Sequence, residues 1–273
     1  MELRRDGVEV PVGAAKKRMI LAVLGLSGGE AVSTDRLIDA VWGARPPPSA
    51  GKALQVYVSQ LRDAVEPVRH TPSVIVSHAP GYALVLPPQA VDVRVFERLW
   101  DQGRQLRARE WADSASEVLS RALALWRGPP LADLAYEEAF TQDVSRLEEM
   151  RWTCLEDRID ADLAAGRHSD VIADLEELSH RYPLRERACE LLMLAYYRSG
   201  RQADALHVYR RMRAALVGGL GLEPSRALVD LERRILQQDP TLDGVAAQPA
   251  RRTLTGPVPQ IRTILAVGES SGG

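Results

Sequence analysis

Cysteine and lysine are both scarce in this chain. Cys154 and Cys189 are the only cysteines among 273 residues, too few for a secreted disulfide scaffold or a four-thiolate zinc site. Both fall inside helical patterns and read as small buried hydrophobes in a protein of the reducing cytoplasm. No apolar run approaches the roughly 18 residues of a membrane helix; the longest, Met19 to Leu26, is far shorter. The N-terminus, MELRRDGVEV, has no apolar core of the kind an export signal needs. The five histidines show no HExxH pair or other ligand spacing, and no Gly-rich loop ending in Lys-Ser/Thr is present. No metal or cofactor is therefore expected. Two Gly-x-Ser-x-Gly matches, around Ser27 and Ser270, lack the strand-then-helix setting of a nucleophile elbow. Catalysis is not expected, and a serine hydrolase would have to reveal itself to an active-site serine probe.

Charge is distributed unevenly. Residues 1–90 carry ten Lys/Arg against eight Asp/Glu, whereas the remaining 183 residues carry 25 against 29. All three lysines, Lys16, Lys17 and Lys52, fall in the first segment, against 32 arginines in the whole chain. A GC-rich genome alone would produce such an arginine excess. The bias is modest, and by itself it does not identify a nucleic-acid partner.

Glu2 to Val12 reads as two short strands about an Arg5-Asp6-Gly7 turn. Helical periodicity starts near Ala15, with Met19, Ile20, Val23 and Leu24 as the buried stripe, and Gly28-Gly29 stops it. Ser33 or Thr34 would cap a second helix that turns Leu37, Ile38, Val41 and Trp42 inward. Gly43 and the run Pro46-Pro47-Pro48 end that helix. Ser49 would cap a third, from about Ala50 to Val65.

In this third helix Leu54, Val58, Leu61 and Val65 lie within about 60° of one another at 100° per residue and must face a core. Lys52, Gln55, Val56, Ser59, Arg62 and Asp63 are left outside. Taken alone, such an arc is most simply a solvated face. Its residue types nevertheless suit a DNA groove. Gln reads adenine with two hydrogen bonds, Ser and Lys reach base edges or phosphate, and valine meets a thymine methyl. A hairpin follows, with Val74-Ile75-Val76 as a strand and Pro80-Gly81 as a type II turn in which Gly81 takes positive φ. His78 and Tyr82 flank that turn. They are candidate donors to the sugar-phosphate backbone, with Tyr82 equally suited to packing on the third helix.

From Val91 the pattern is helical throughout. A weak helix pair spans Val93 to Leu125, and Phe140, Val144, Leu147, Leu155 and Ile159 stripe a long helix. The segment Leu163 to Asp170 reappears in pattern as Tyr197 to Asp204, an offset of 34 residues between Gly166 and Gly200. That offset is the tetratricopeptide period. Tyr196, Tyr197 and Tyr209 are expected in the packing. From Thr241 the periodicity lapses into an expected flexible tail, in which Ile261 to Val267 is strand-like with no partner in view.

The stretches LIDAVWG, LQ-x-YVS-x-LR and PGY resemble the OmpR-type winged helix. With WRGPPLADL, AYYRSGRQADALHVYRRMR and LGLEPSRALVDLERRIL they look like the Streptomyces antibiotic regulatory protein family, over roughly Glu2 to Pro240. Met1 stands where members have a further strand, so the expectation is either an incomplete first sheet or a misassigned start. Ala83 stands where an arginine often follows the wing tyrosine, so one phosphate contact is expected to be missing. The resemblance implies a mainly α protein. Residues 1–90 would form a winged helix-turn-helix, residues 91–240 an all-α, tetratricopeptide-like activation domain, and residues 241–273 the tail. It also implies a cytoplasmic activator that binds double-stranded DNA at promoter direct repeats, self-associates there and recruits RNA polymerase holoenzyme. Lys52, Gln55, Ser59 and Arg62 would read bases; Lys16, Lys17 and Arg18 would hold phosphate, with His78 and Tyr82 at the wing. Arg45, Pro46 and Pro47 of the stiff elbow would touch polymerase. A helical-repeat adaptor without specific DNA binding is the competing expectation.

Overall fold

The computed structural model describes residues 2–5, 8–66 and 73–243 and the backbone of residues 266–267. The protein is mainly helical, a winged helix-turn-helix followed by helical repeats. Packing divides the described chain into two compact units. The first holds the residues up to Leu99 and returns for Ala122–Arg151; the second holds Trp100–Arg121 and the helices after Trp152.

In the first unit, β1 (Arg4–Arg5) pairs antiparallel with β2 (Val8–Glu9). Helix α1 (Ala15–Leu26) buries every residue from Met19 to Leu24 and ends at Gly28 and Gly29, whose φ values of +66° and +93° a residue with a Cβ would resist. Strand β3 (Val32–Ser33) leads into α2 (Thr34–Trp42), capped by the Ser33 hydroxyl, which accepts from Arg36 N–H at 3.2 Å. Helix α3 (Ala50–Val65) follows, with Leu54, Val58, Leu61 and Val65 no more than 1% exposed. Ser49 sits at its N-cap, but the side chain makes no capping bond, contrary to expectation.

Strands β4 (Ile75–His78) and β5 (Gly81–Leu84) form the hairpin, and β3 adds to β5, giving the order β3-β5-β4. The register runs from Ile75 opposite Leu84 to His78 opposite Gly81. The expected positive φ at Gly81 is not found: Gly81 is a strand residue, and the Ala79–Pro80 bond is cis. Glycine is needed there for another reason. A Cβ on Gly81 would lie 1.9 Å from the Val32 carbonyl oxygen of the neighbouring strand.

The hairpin is fastened to α3 by a carboxylate that the sequence reading passed over. Glu66, just past the helix, is buried and accepts from the backbone N–H of Ser73, Val74 and Ile75 at 2.8–3.1 Å and from the Ser73 hydroxyl at 2.9 Å. Burial pushes its pKa up, but these donors outweigh it, and the carboxyl sits below its ordinary 4.5.

This core is not closed by the N-terminal ninety residues. Leu134 and Phe140, from a loop and a short 3-10 turn, are buried in the same cluster as Ile20, Leu37 and Leu54, with Leu131 and Val144 packed against it. Phe140 therefore precedes the long helix α6 (Thr141–Ala164) rather than lying in it. The expected single stripe also divides: Phe140 and Val144 serve this core, Leu155 and Ile159 the second. The Ile261 to Val267 run also departs from expectation where it is described, since β6 (Ala266–Val267) pairs in parallel with β1. The rest of that run lies outside the described residues.

The second unit draws on α4 (Asp92–Ala108), α5 (Ala112–Leu123), the later part of α6, α7 (Ile172–Arg181), α8 (Glu186–Arg198), α9 (Gln202–Leu220) and α10 (Arg226–Leu236). Gly166 and Gly200, 34 residues apart, both take positive φ in the turns that separate α6 from α7 and α8 from α9. Tyr196 and Tyr209 are buried in its core with Leu192, Ala205 and Leu228. Leu242, at the start of the expected tail, is buried there too. Three acids of α6 are matched one by one. Arg185 grips both oxygens of buried Glu156 at 2.6 and 3.1 Å, Trp100 donates to Asp157 at 2.7 Å, and Ser116 and Arg167 meet buried Asp162 at 2.5 and 2.9 Å. Cys154 and Cys189 are buried free thiols whose pKa burial pushes up to about 12, as inert packing residues require. Among the described residues no helix is long and apolar enough to cross a membrane, and no group of His, Cys, Asp and Glu could hold a metal ion.

Glu66→Ala should destabilise the chain by about 3 kcal/mol, because the buried N–H groups of Val74 and Ile75 and the part-buried N–H of Ser73 lose their acceptor. The pH dependence has a definite sign. A lowered carboxyl pKa adds stability that is complete above the unfolded value near 4.5 and is lost as pH falls through the lower folded value. Denaturant titrations of wild type and Glu66→Gln should therefore differ most near neutral pH and converge in acid.

Candidate nucleic-acid interface

Helix α3 presents two faces of opposite character. The burial of Leu54, Val58, Leu61 and Val65 turns Lys52, Gln55, Val56, Ser59, Gln60 and Asp63 outward, and all six are exposed. Lys52, Gln55 and Ser59 thus lie together as expected, and Gln60 joins them unforeseen beside Val56. On a helical wheel Gln60 falls about 40° beyond Val56, so the spacing already contained it.

Arg62 does not join that face. Its Nε donates to the Ile75 carbonyl oxygen at 2.8 Å and its Nη2 to Ser77 Oγ at 3.0 Å. The guanidinium also lies over the Tyr82 ring, 5.8 Å from the centroid. Arg62 fastens α3 to the hairpin, and Tyr82 is half-buried beneath it. The wheel gives no warning of this, since Arg62 lies about 70° from the centre of the buried stripe and about 20° from Gln55. His78 is exposed at the end of β4, with Nδ1 3.1 Å from the Ala79 carbonyl oxygen. The turn is held from below, since the Thr34 hydroxyl donates to the Pro80 carbonyl oxygen at 3.1 Å.

The basic cluster at the start of α1 separates. Lys16 Nζ lies 4.9 Å from the ring centroid of Trp42, which stacks on Tyr57 of α3 at 6.2 Å. Arg18 is paired with Asp133 at 2.7 Å and also donates to the Gly13 carbonyl oxygen. Lys17 is half-buried, and no ion pair is found for it among the described residues. Gly43 to Ser49 is exposed throughout, so Arg45, Pro46 and Pro47 form an open elbow between α2 and α3. Ser27 caps the end of α1, donating to the Val23 carbonyl oxygen at 2.7 Å, while Ser270 lies outside the described residues.

Two family models match this arrangement. Residues 11–84 match the C-terminal domain of transcriptional regulatory proteins, and residues 91–236 match the bacterial transcriptional activator domain. The chain belongs to the Streptomyces antibiotic regulatory protein family. It is 41% identical to the regulatory protein AfsR of Streptomyces coelicolor over 247 residues, which are 90% of this chain but 24% of that one. It is 36% identical to the regulatory protein DnrI of Streptomyces peucetius, covering 87% of this chain and 90% of DnrI. A solved structure of Mycobacterium tuberculosis EmbR, in complex with a low-affinity phosphopeptide, superposes with a TM-score of 0.83 at 37% identity. That superposition covers 86% of this chain and 62% of the EmbR chain. The chain thus spans about a quarter of AfsR and less than two thirds of the EmbR chain.

Within this family member, the residues missed from sequence, Gln60 apart, share one trait. Glu66, Thr34 and the true role of Arg62 depend on partners more than ten residues away or in another element, which no local pattern reports. Arg62→Ala should lower stability by about 1–2 kcal/mol through loss of its two hydrogen bonds. Arg62→Lys should restore little, since an ammonium cannot reproduce the fork. Hydrogen exchange at Ile75–His78 should quicken in both variants; unchanged exchange with unchanged stability would show Arg62 to be free of this duty.

Proposed function

We propose that this chain binds double-stranded DNA with α3 in the major groove and the β4–β5 hairpin against the backbone, and that it activates transcription. The observation that carries this reading is the exposed arc of Lys52, Gln55, Val56, Ser59 and Gln60 opposite a fully buried stripe. Gln55 and Ser59 would meet base edges, Val56 a thymine methyl, and Lys52 phosphate or guanine. Lys17, with Lys16 beside Trp42, would hold phosphate near the positive end of α1. Arg18 and Arg62 serve by fixing α1 and the hairpin, and His78 would approach the sugar-phosphate backbone. Residues 1–90 carry the groove-facing elements and residues 91–240 would act as the activation domain. The protein would work in the cytoplasm on promoter direct repeats, self-associating along them and recruiting RNA polymerase holoenzyme.

Gln55→Ala should relax preference at one base position and cost about 1–3 kcal/mol at the cognate site. Lys17→Ala should weaken all sequences alike and flatten the salt dependence of binding, because one phosphate contact fewer releases fewer counterions. A binding selection across a salt series reads both, and unchanged specificity in Gln55→Ala would show that another face is used.

The elbow supplies the polymerase surface in this reading. Its prolines keep Gly43 to Pro48 stiff and reduce the entropy lost on docking, and Arg45 is its one charged residue. Arg45→Ala should leave promoter affinity in a gel shift nearly unchanged and lower transcription in a reconstituted reaction. If both fall together, the elbow is a DNA-docking or folding element.

A further inference from the structure

The end of α1, the start of α4 and the loop from Leu125 to Ala132 surround a cavity of about 440 Å³ within the first unit. Cavities that hold small molecules measure roughly 300–1,000 Å³, and one water accounts for about 30 Å³. The walls are largely carbon, from Leu21, Leu26, Phe96, Leu131 and Leu147. Phe96 and Trp126 meet edge to face, 5.2 Å between centroids, and make an aromatic corner. The buried indole N–H of Trp126 has no acceptor among the described residues, which is unusual for a buried donor.

Polar groups are few and gathered on one side. Arg127 donates to both oxygens of Glu2 at 3.1 and 3.2 Å. Asp92, in the first turn of α4, accepts from the Val93 N–H at 2.8 Å. Burial pushes the Asp92 carboxyl pKa up, against the pull of that N–H and of Arg127.

Gly25, like Gly51 of α3, is not explained by packing. It lies in the last turn of α1, its φ is not positive, and a Cβ there would meet nothing within 4 Å. Glycine in a helix costs about 1 kcal/mol relative to alanine, and neither the backbone nor any described neighbour requires it. It lines the cavity.

We infer that this cavity binds a mainly apolar small molecule without a negative charge, whose ring system lies over Gly25 and whose single hydroxyl, amine or carbonyl group faces Asp92 and Arg127. Glu2 and Arg127 already neutralise each other, so a negative charge on the ligand would be desolvated without a partner and beside the Asp92 carboxyl. The site does not depend on the DNA-binding reading. Because α1 packs on both α2 and α3, its occupant would press on the helix that bears Gln55.

Two fluorescent probes with the same ring system test this on the full chain. N-phenyl-1-naphthylamine is neutral, whereas 1-anilinonaphthalene-8-sulfonate adds a fixed negative charge. The neutral probe should bind at one saturable site with blue-shifted emission, at least tenfold more tightly than the sulfonate. Gly25→Leu should weaken the neutral probe at least tenfold with the melting temperature unchanged or raised. Gly25→Ala should weaken it about twofold to threefold and raise the melting temperature, so the inference remains testable if the leucine variant fails to fold. Absence of saturable binding, equal affinity for the two probes, or unchanged affinity in the folded Gly25 variants would overturn it. So would a lower melting temperature in Gly25→Ala, which would mean that the protein itself fills the space.

Discussion

Helix α3 has one rotational setting, and the arrangement of the first unit follows from it. Leu54, Val58, Leu61 and Val65 are all but inaccessible, so turning the helix by even one residue would exchange a buried leucine for a polar side chain. Burying such a group without a partner costs several kcal/mol. The outward arc is therefore held as firmly as the core, although its own residues are exposed. Arg62 and Glu66, at the margin of the stripe and just past the helix end, then fix the hairpin relative to that arc.

Much of this was legible from periodicity. The bounds of α3, its buried stripe, the Ser33 cap and the 34-residue spacing of Gly166 and Gly200 all come from rules that act within one helix or turn. The rest depended on groups distant in the chain. Gly81 was expected to supply positive φ for a turn, and its actual reason is the Val32 carbonyl oxygen of another strand. Arg62 stands beside Gln55 on the wheel, and only its partners Ile75 and Ser77 in the hairpin draw it away from the outward arc. Of the expected interface, Lys52, Gln55 and Ser59 do lie side by side. Lys16, Lys17 and Arg18 instead take three different environments, because Trp42 and Asp133 each claim one of them.

The arginine excess also has a structural use. Glu156 and Asp162 are buried acids in α6, and each is met by an arginine: Arg185 on both oxygens of the first, Arg167 on the second. A planar fork can satisfy a buried carboxylate with fewer partners than an ammonium can. In the second unit these pairs let acidic residues occupy packed positions between helices, which leaves the repeat geometry to the apolar core.

The cluster that contains Ile20, Leu37 and Leu54 is completed by Leu134 and Phe140. Chains emerge from the ribosome N-terminus first, at about 5–20 residues per second. The strands and helices of the first ninety residues are therefore out several seconds before Phe140 can reach its place, with part of their apolar surface still uncovered. The segment around Phe140 acts as a late keystone in biosynthesis. A gene cut where the strands of the winged helix end would leave that part of the cluster without Leu134 and Phe140 to cover it.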